Sequence, residues 1–225
     1  AGNFLISSSG QAVSTHLRRS MAVEDWTKAR EILRRATSWL VLIAWPYFLL
    51  VAFSSDVLAR VLSEDYVAES RILMVLAFGM MVSAAAGPID LALLMLGRSK
   101  ASLLGVALAI VADLVLLAVL TPFFGLMGAA VAWAVSVAVQ NGLASILVHR
   151  HSGLLATSPG SIVAGILAIL AVVPAALLTD NTVGGVVVTG FVAAGVLVVG
   201  SLLFRRMLGL EEVVPDKLVS RLPGF

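Results

Sequence analysis

ASLLGVALAIVADLVLLAVLT, residues 101–121, carries one charged side chain, Asp113, in twenty-one positions. A helix of that length rises about 31 Å, the thickness of a bilayer's hydrocarbon core. An apolar run that long, continuous rather than alternating, reads as a membrane-crossing helix. The rest of the chain agrees. Of 225 residues, 60% are hydrophobic and only 12% charged, and the mean hydropathy is +1.05. A soluble domain carries about 25% charged residues, because it needs a polar surface. The expected fold class is therefore all-α, a polytopic membrane helix bundle.

Six segments are long enough to cross: 36–53, 72–96, 101–121, 126–148, 161–178 and 183–204. Their short connections make successive helices antiparallel neighbours. The basic residues follow this division. Thirteen of the fifteen Lys and Arg fall in segments on one side: Arg18, Arg19, Lys28, Arg30, Arg34, Arg35, Arg98, Lys100, Arg150, Arg205, Arg206, Lys217 and Arg221. Arg60 and Arg71 fall on the other, with Asp56, Glu64, Asp65, Glu69 and Asp180. Cytoplasmic loops carry the excess of Lys and Arg, so both termini are expected in the cytoplasm. Arg34, Arg35, Arg98, Lys100, Arg205 and Arg206 are the topology anchors of that scheme, in a cytoplasmic (inner) membrane.

Four regions follow. Residues 1–35 form a cytoplasmic segment, in which 1–15 looks like the end of a truncated upstream helix, so that an upstream part of the protein is expected. Within it, 21–35 is amphipathic, with Ala22, Trp26, Ala29 and Leu33 on one face and Glu24–Lys28 and Glu31–Arg35 spaced i,i+4. It is expected to lie on the cytoplasmic surface and to lead into the first crossing. Residues 36–148 hold four crossings, 149–204 two more, and 205–225 a cytoplasmic tail. Residues 57–62 extend the first crossing outward.

An Asp near the centre of a membrane helix costs about 2.5–3.5 kcal/mol, so it faces the bundle or a water-filled cavity. Asp90, in GPIDLALLMLGRSK (87–100), lies about 12 Å from the cytoplasmic edge, and Asp113 about 20 Å in. Ala101, Gly105, Ala109 and Asp113 share a face whose small residues admit a close neighbour. Pro88 removes a backbone donor just above Asp90, which predicts a bend or local opening there. Gln140 and Asn141 add polar groups on the fourth crossing. Two readings stand side by side. The aspartates are polar glue, bonded to Gln140, Asn141 or a Ser; or they line a cavity or bind a coupling cation or proton.

Enzymatic chemistry finds no foothold. There is no cysteine, and His16, His149 and His151 lack metal-ligand spacing. No phosphate loop or dinucleotide fingerprint is present. The chain is expected not to be an enzyme, to hold no metal or cofactor, and to bind no nucleic acid.

Three stretches in order, VLSEDYVAESRILMVLAFG (61–79), LALLMLGRSKASL (91–103) and TPFFGLMGAAVAWA (121–134), resemble the C-terminal half of polysaccharide (O-antigen-type) repeat-unit flippases. These belong to the superfamily that includes the multidrug extruders. The resemblance rests on Tyr66, on Gly97-Arg98, and on Pro122, Gly125, Gly128, Ala129 and Ala130. It covers about residues 20 to 155, and Ser63-Glu64-Asp65 departs from it where a glycine is usual. In physical terms Pro122 is expected to end one helix, Gly125 to make the turn, and Gly128 to let the next helix pack closely. The resemblance implies the C-terminal part of a two-lobe flippase, carrying the last six of about fourteen helices. It also implies a lipid-linked oligosaccharide as substrate, membrane lipids as surroundings, a missing N-terminal lobe as partner, and alternating access as mechanism. A pyrophosphate-bearing substrate needs Arg or Lys, and this chain has none at membrane depth, so that site falls to the missing lobe. A cation-coupled multidrug extruder and a non-transporting scaffold subunit are the alternatives.

Overall fold

A computed structural model describes residues 26–63, 70–154, 157–179 and 182–204. All regular structure among them is helical: α1 (Trp26–Phe53), α2 (Ser55–Leu62), α3 (Ser70–Ala86), α4 (Ile89–Met95), α5 (Ser99–Ser152), α6 (Pro159–Leu178) and α7 (Val183–Leu203). Four of these, α1, α5, α6 and α7, are long and apolar enough to cross a membrane. Taking α3 and α4 as one bent crossing makes five. Residues 1–15, the tail after Phe204, Tyr66, Arg205 and Arg206 lie outside the described residues.

α1 departs from the sequence reading. It is one uninterrupted helix of 28 residues, about 42 Å long, which exceeds a hydrocarbon core by roughly 12 Å. The extra turns are Trp26 to Arg35, the described part of the amphipathic segment. They do not lie apart on a surface. Ala29 and Leu33 are fully buried against Ile89, Ala92 and Leu93 of α4, Ala144 and Val148 of α5, and Leu154. The apolar stripe was legible, but its partner is protein, because α4 and the end of α5 reach the same level. Of the two expected ion pairs, Glu31–Arg35 forms at 2.6 Å on the exposed face, while Glu24 lies outside the described residues.

α1 is the axis of the bundle and packs chiefly against α3 and α6. Ala44, Phe48, Leu49 and Ala52 of α1 meet Ala77, Met81 and Ala84 of α3 and Ala168, Ala171 and Val172 of α6. Alanines at these crossings let the backbones approach, the packing mode of helices that cannot rely on water to drive them together. Trp45 locks the α1–α3 crossing by donating its ring N–H to the Met81 carbonyl at 3.0 Å. α6 begins with a capping box, Ser158 and Ser161 each bonding the other's backbone N–H, and Ser38 of α1 bonds the Ser158 hydroxyl. α6 and α7 form an antiparallel hairpin, joined near its tip by a Thr179–Thr189 hydroxyl bond of 2.7 Å.

α5 covers two of the expected crossings, 101–121 and 126–148. Straight, its 54 residues would span about 81 Å. They do not run straight. Gly125 has φ 56 and ψ −139, a conformation outside the helical region and one that side chains resist. The two arms fold back on each other there, so Ser136 reaches Asp113 and the Gly128 Cα lies against the Leu120 carbonyl. A Cβ on Gly128 would come within 2.5 Å of that oxygen. The break falls at Gly125, three residues past Pro122, so Pro122 does not end the helix as expected. Proline tolerates the helical conformation at its own position, and glycine alone can make the reversal.

These contacts place one end of α1, α4, α5 and α6 together. That end carries Lys28, Arg30, Arg34, Arg35, Arg98, Lys100 and Arg150. Arg30 donates to the Gly153 carbonyl just past the C-terminus of α5, where the unpaired carbonyls of a helix favour a cation. Among the described residues the opposite end has Arg60 and Arg71, with Asp56. Around the bundle, large apolar side chains face outward on α5, α6 and α7, among them Leu104, Val111, Phe123, Ile166, Phe191 and Val198. Water disfavours such a surface and a lipid tail does not, so it is consistent with a membrane protein.

Candidate functional site

The site is built on the break between α3 and α4. Gly87 takes φ +66, and the two helices meet at 41°. Pro88 follows as the N-cap of α4, where its missing N–H costs nothing. The break is seated on α1: a Cβ on Gly87 would collide with the Thr37 hydroxyl. Thr37 is itself fully buried, its hydroxyl donating to the Leu33 carbonyl at 2.9 Å. Thr37 thus shapes the site without carrying a charge. Nothing in the sequence singled it out, because a helical Thr bonded to its own backbone has no pattern to read.

The expected bend above Asp90 is therefore present, and it puts Asp90 in the first turn of α4. A carboxylate is favoured there, near the N-terminal end of the helix dipole. Its Oδ2 accepts from Gln140 Nε2 of α5 at 3.4 Å, a long bond. A cleft bordered by Asp90, Ser102, Gly105 and Gln140 opens beside the pair, with no room for a water-sized sphere. Asp90 is half-buried and faces the bundle.

Asp113 lies on the first arm of α5, facing the second arm. Its Oδ1 accepts from Ser136 Oγ at 3.3 Å. Ser136 also donates to Ala132 O at 2.9 Å, and a hydroxyl has a single proton to share. The carboxyl of Asp113 is thus weakly held. Gly105 and Ala109, on the same ridge, are buried as the spacing predicted. Ser136 and Gln140 are i,i+4 on one face of α5, about 6 Å apart along its axis. One helix face therefore serves both acids, Ser136 for Asp113 and Gln140 for Asp90.

Asn141 is not part of this arrangement. Its side chain donates to Val137 O of its own helix at 2.8 Å. Among the candidates, the structure brings together Asp90 with Gln140 and Asp113 with Ser136, and leaves Asn141 aside. Arg34, Arg35, Arg98 and Lys100 sit at the basic end, and Arg98 is the N-cap of α5. Among the described residues, no group of three His, Asp or Glu converges as a metal site would.

The class these features define is an all-helical bundle whose helices suit a bilayer and whose interior carries two acid–donor pairs around a broken helix. Comparison with known protein families, curated protein sequences and solved structures finds no match to this chain.

Proposed function

We propose that this chain is a six-crossing, C-terminal part of a cytoplasmic-membrane transporter, not an enzyme, that moves a lipid-linked oligosaccharide by alternating access. The observation that carries it is the broken α3–α4 helix with Asp90 in its first turn after the break, facing Gln140. Interrupted helices and ionisable groups at bilayer depth are the means by which carriers make a coupling site. The six crossings follow from counting the two arms of α5 separately, because they reverse at Gly125. The basic end then faces the cytoplasm, and both termini with it. The sugar-lipid substrate rests on the resemblance of 61–79, 91–103 and 121–134 to the polysaccharide flippases. A second lobe, supplied from outside this chain, would hold the anionic pyrophosphate.

A second reading is favoured by the cleft beside Asp90, which excludes water: the acid–donor pairs hold the helices together in a scaffold subunit. Asp90→Asn and Asp113→Asn separate the two. The measurement is movement of a fluorescent polyprenyl-pyrophosphate oligosaccharide between leaflets of vesicles carrying the full protein. The transport reading predicts that Asp90→Asn lowers the rate about tenfold or more while the folded protein inserts at its usual level. Unchanged transport in both variants would sink the coupling role. Loss of folded protein, with normal transport by what remains, would establish the scaffold role.

A further inference from the structure

A groove opens between α1, α3 and α6, with a volume of about 340 Å³. Val41, Trp45, Gly165 and Ile169 line it, and Thr157 and Ser161 border one end. It follows α6 from its first turn for about 12 Å. Its floor is set by Gly165, where a Cβ would come within 2.9 Å of the Trp45 ring. Trp45 cannot swing away, since its N–H is committed to Met81 O.

Beyond the polar end lies Arg34. Arg34, Ser38, Val41 and Trp45 are spaced i, i+4, i+7 and i+11, one face of α1, and Arg34 stands about 10 Å along the axis from Val41. Neighbouring cations are committed: Arg30 to Gly153 O and Arg35 to Glu31. Arg34 differs. Its Nε is buried and meets no acceptor among the described residues. The Nε–H is enclosed, so a ligand would reach this guanidinium through its terminal nitrogens. The N-terminus of α6 needs no ligand, because the Ser158–Ser161 capping box already satisfies it.

We propose that the groove holds one acyl chain of an anionic glycerophospholipid whose phosphate is bound by Arg34. An apolar trough with a cation past its polar rim is complementary to an amphiphile, and a guanidinium matches phosphate oxygens in geometry as well as charge. A helical side chain leans toward the N-terminus, which carries the Arg34 head away from the groove and toward the level of lipid headgroups. The inference rests on the membrane reading and is independent of transport.

The test is native mass spectrometry of the full chain, released from nanodiscs of equal phosphatidylglycerol and phosphatidylcholine. One phosphatidylglycerol is expected to stay bound, in about fivefold preference to phosphatidylcholine. Arg34→Gln removes the preference, Arg35→Gln leaves it intact, and Ile162→Trp, a change at another residue lining the groove that crowds it, lowers retention of both lipids. Circular dichroism confirms that each variant is folded. An equal loss in Arg34→Gln and Arg35→Gln would reduce the effect to surface charge and overturn the proposal. So would a preference that survives Arg34→Gln, or retention that ignores Ile162→Trp.

Discussion

At the scale of single residues, the break at Gly87 decides where Asp90 stands. Gly87 combines a left-handed φ with a position pressed onto Thr37. Gly87→Ala therefore meets two penalties: about 1–2 kcal/mol for the backbone, and a steric clash besides. We expect its melting temperature in detergent to fall. Adding Thr37→Ala, which removes the hydroxyl and methyl in the way, should recover part of that loss, a coupling of about 1 kcal/mol in a double-mutant cycle. Additive losses would mean that Thr37 does not support the break. The two acids stood out as carboxylates in apolar helices, and Pro88 signalled the bend. The partners were legible only in part. Gln140 is a polar residue in an apolar helix, and so is Asn141. Sequence spacing places them 100° apart on the helix, but not which of the two faces α4. Ser136 and Thr37 drew no attention, because helical Ser and Thr bond their own backbone and tolerate many settings.

At the scale of the element, α5 shows why one residue outweighs fifty. Its two arms could be read from hydropathy, and a turn near 122–128 from the Pro and Gly residues. The turn was expected at Gly125 and the helix end at Pro122; the helix instead runs through Pro122 to Gly125. Backbone sterics decide for Gly125, whose φ 56 and ψ −139 suit glycine alone. Gly125→Ala is thus expected to destabilise the protein by about 1–3 kcal/mol. Gly142 is the control. It has open space around its Cα and helical backbone, so Gly142→Ala should be neutral or stabilising by a few tenths to about 1 kcal/mol. Equal effects of the two substitutions on the melting temperature would contradict the reversal at Gly125. α1 teaches the converse. Its amphipathic first turns were legible, yet an apolar stripe does not say whether lipid or protein covers it. Only the long-range packing of Leu33 on Leu93 and Val148 settles that.

At the scale of the whole molecule, the charge distribution and the fold converge. Thirteen basic residues on alternate segments implied an order of crossings. Among the described residues, the packing gathers those on α1, α5 and the 98–100 turn at one end of the bundle. That agreement is independent of any family, since it comes from helix contacts on one side and loop charge on the other. The substrate is not legible in the same way. Acids in apolar helices constrain what the interior repels, an anionic headgroup, more than what it accepts. The reading as part of a two-lobe carrier depends on the order of crossings, and the chain is well suited to testing it because it has no cysteine. Single cysteines at Lys100 and Phe124, both exposed, can be labelled in intact cells with a membrane-impermeant maleimide. The account predicts labelling of Phe124→Cys from outside and of Lys100→Cys only after the membrane is permeabilised. Labelling of both from the same side would contradict the reversal of α5 across the membrane, and with it the six-crossing carrier.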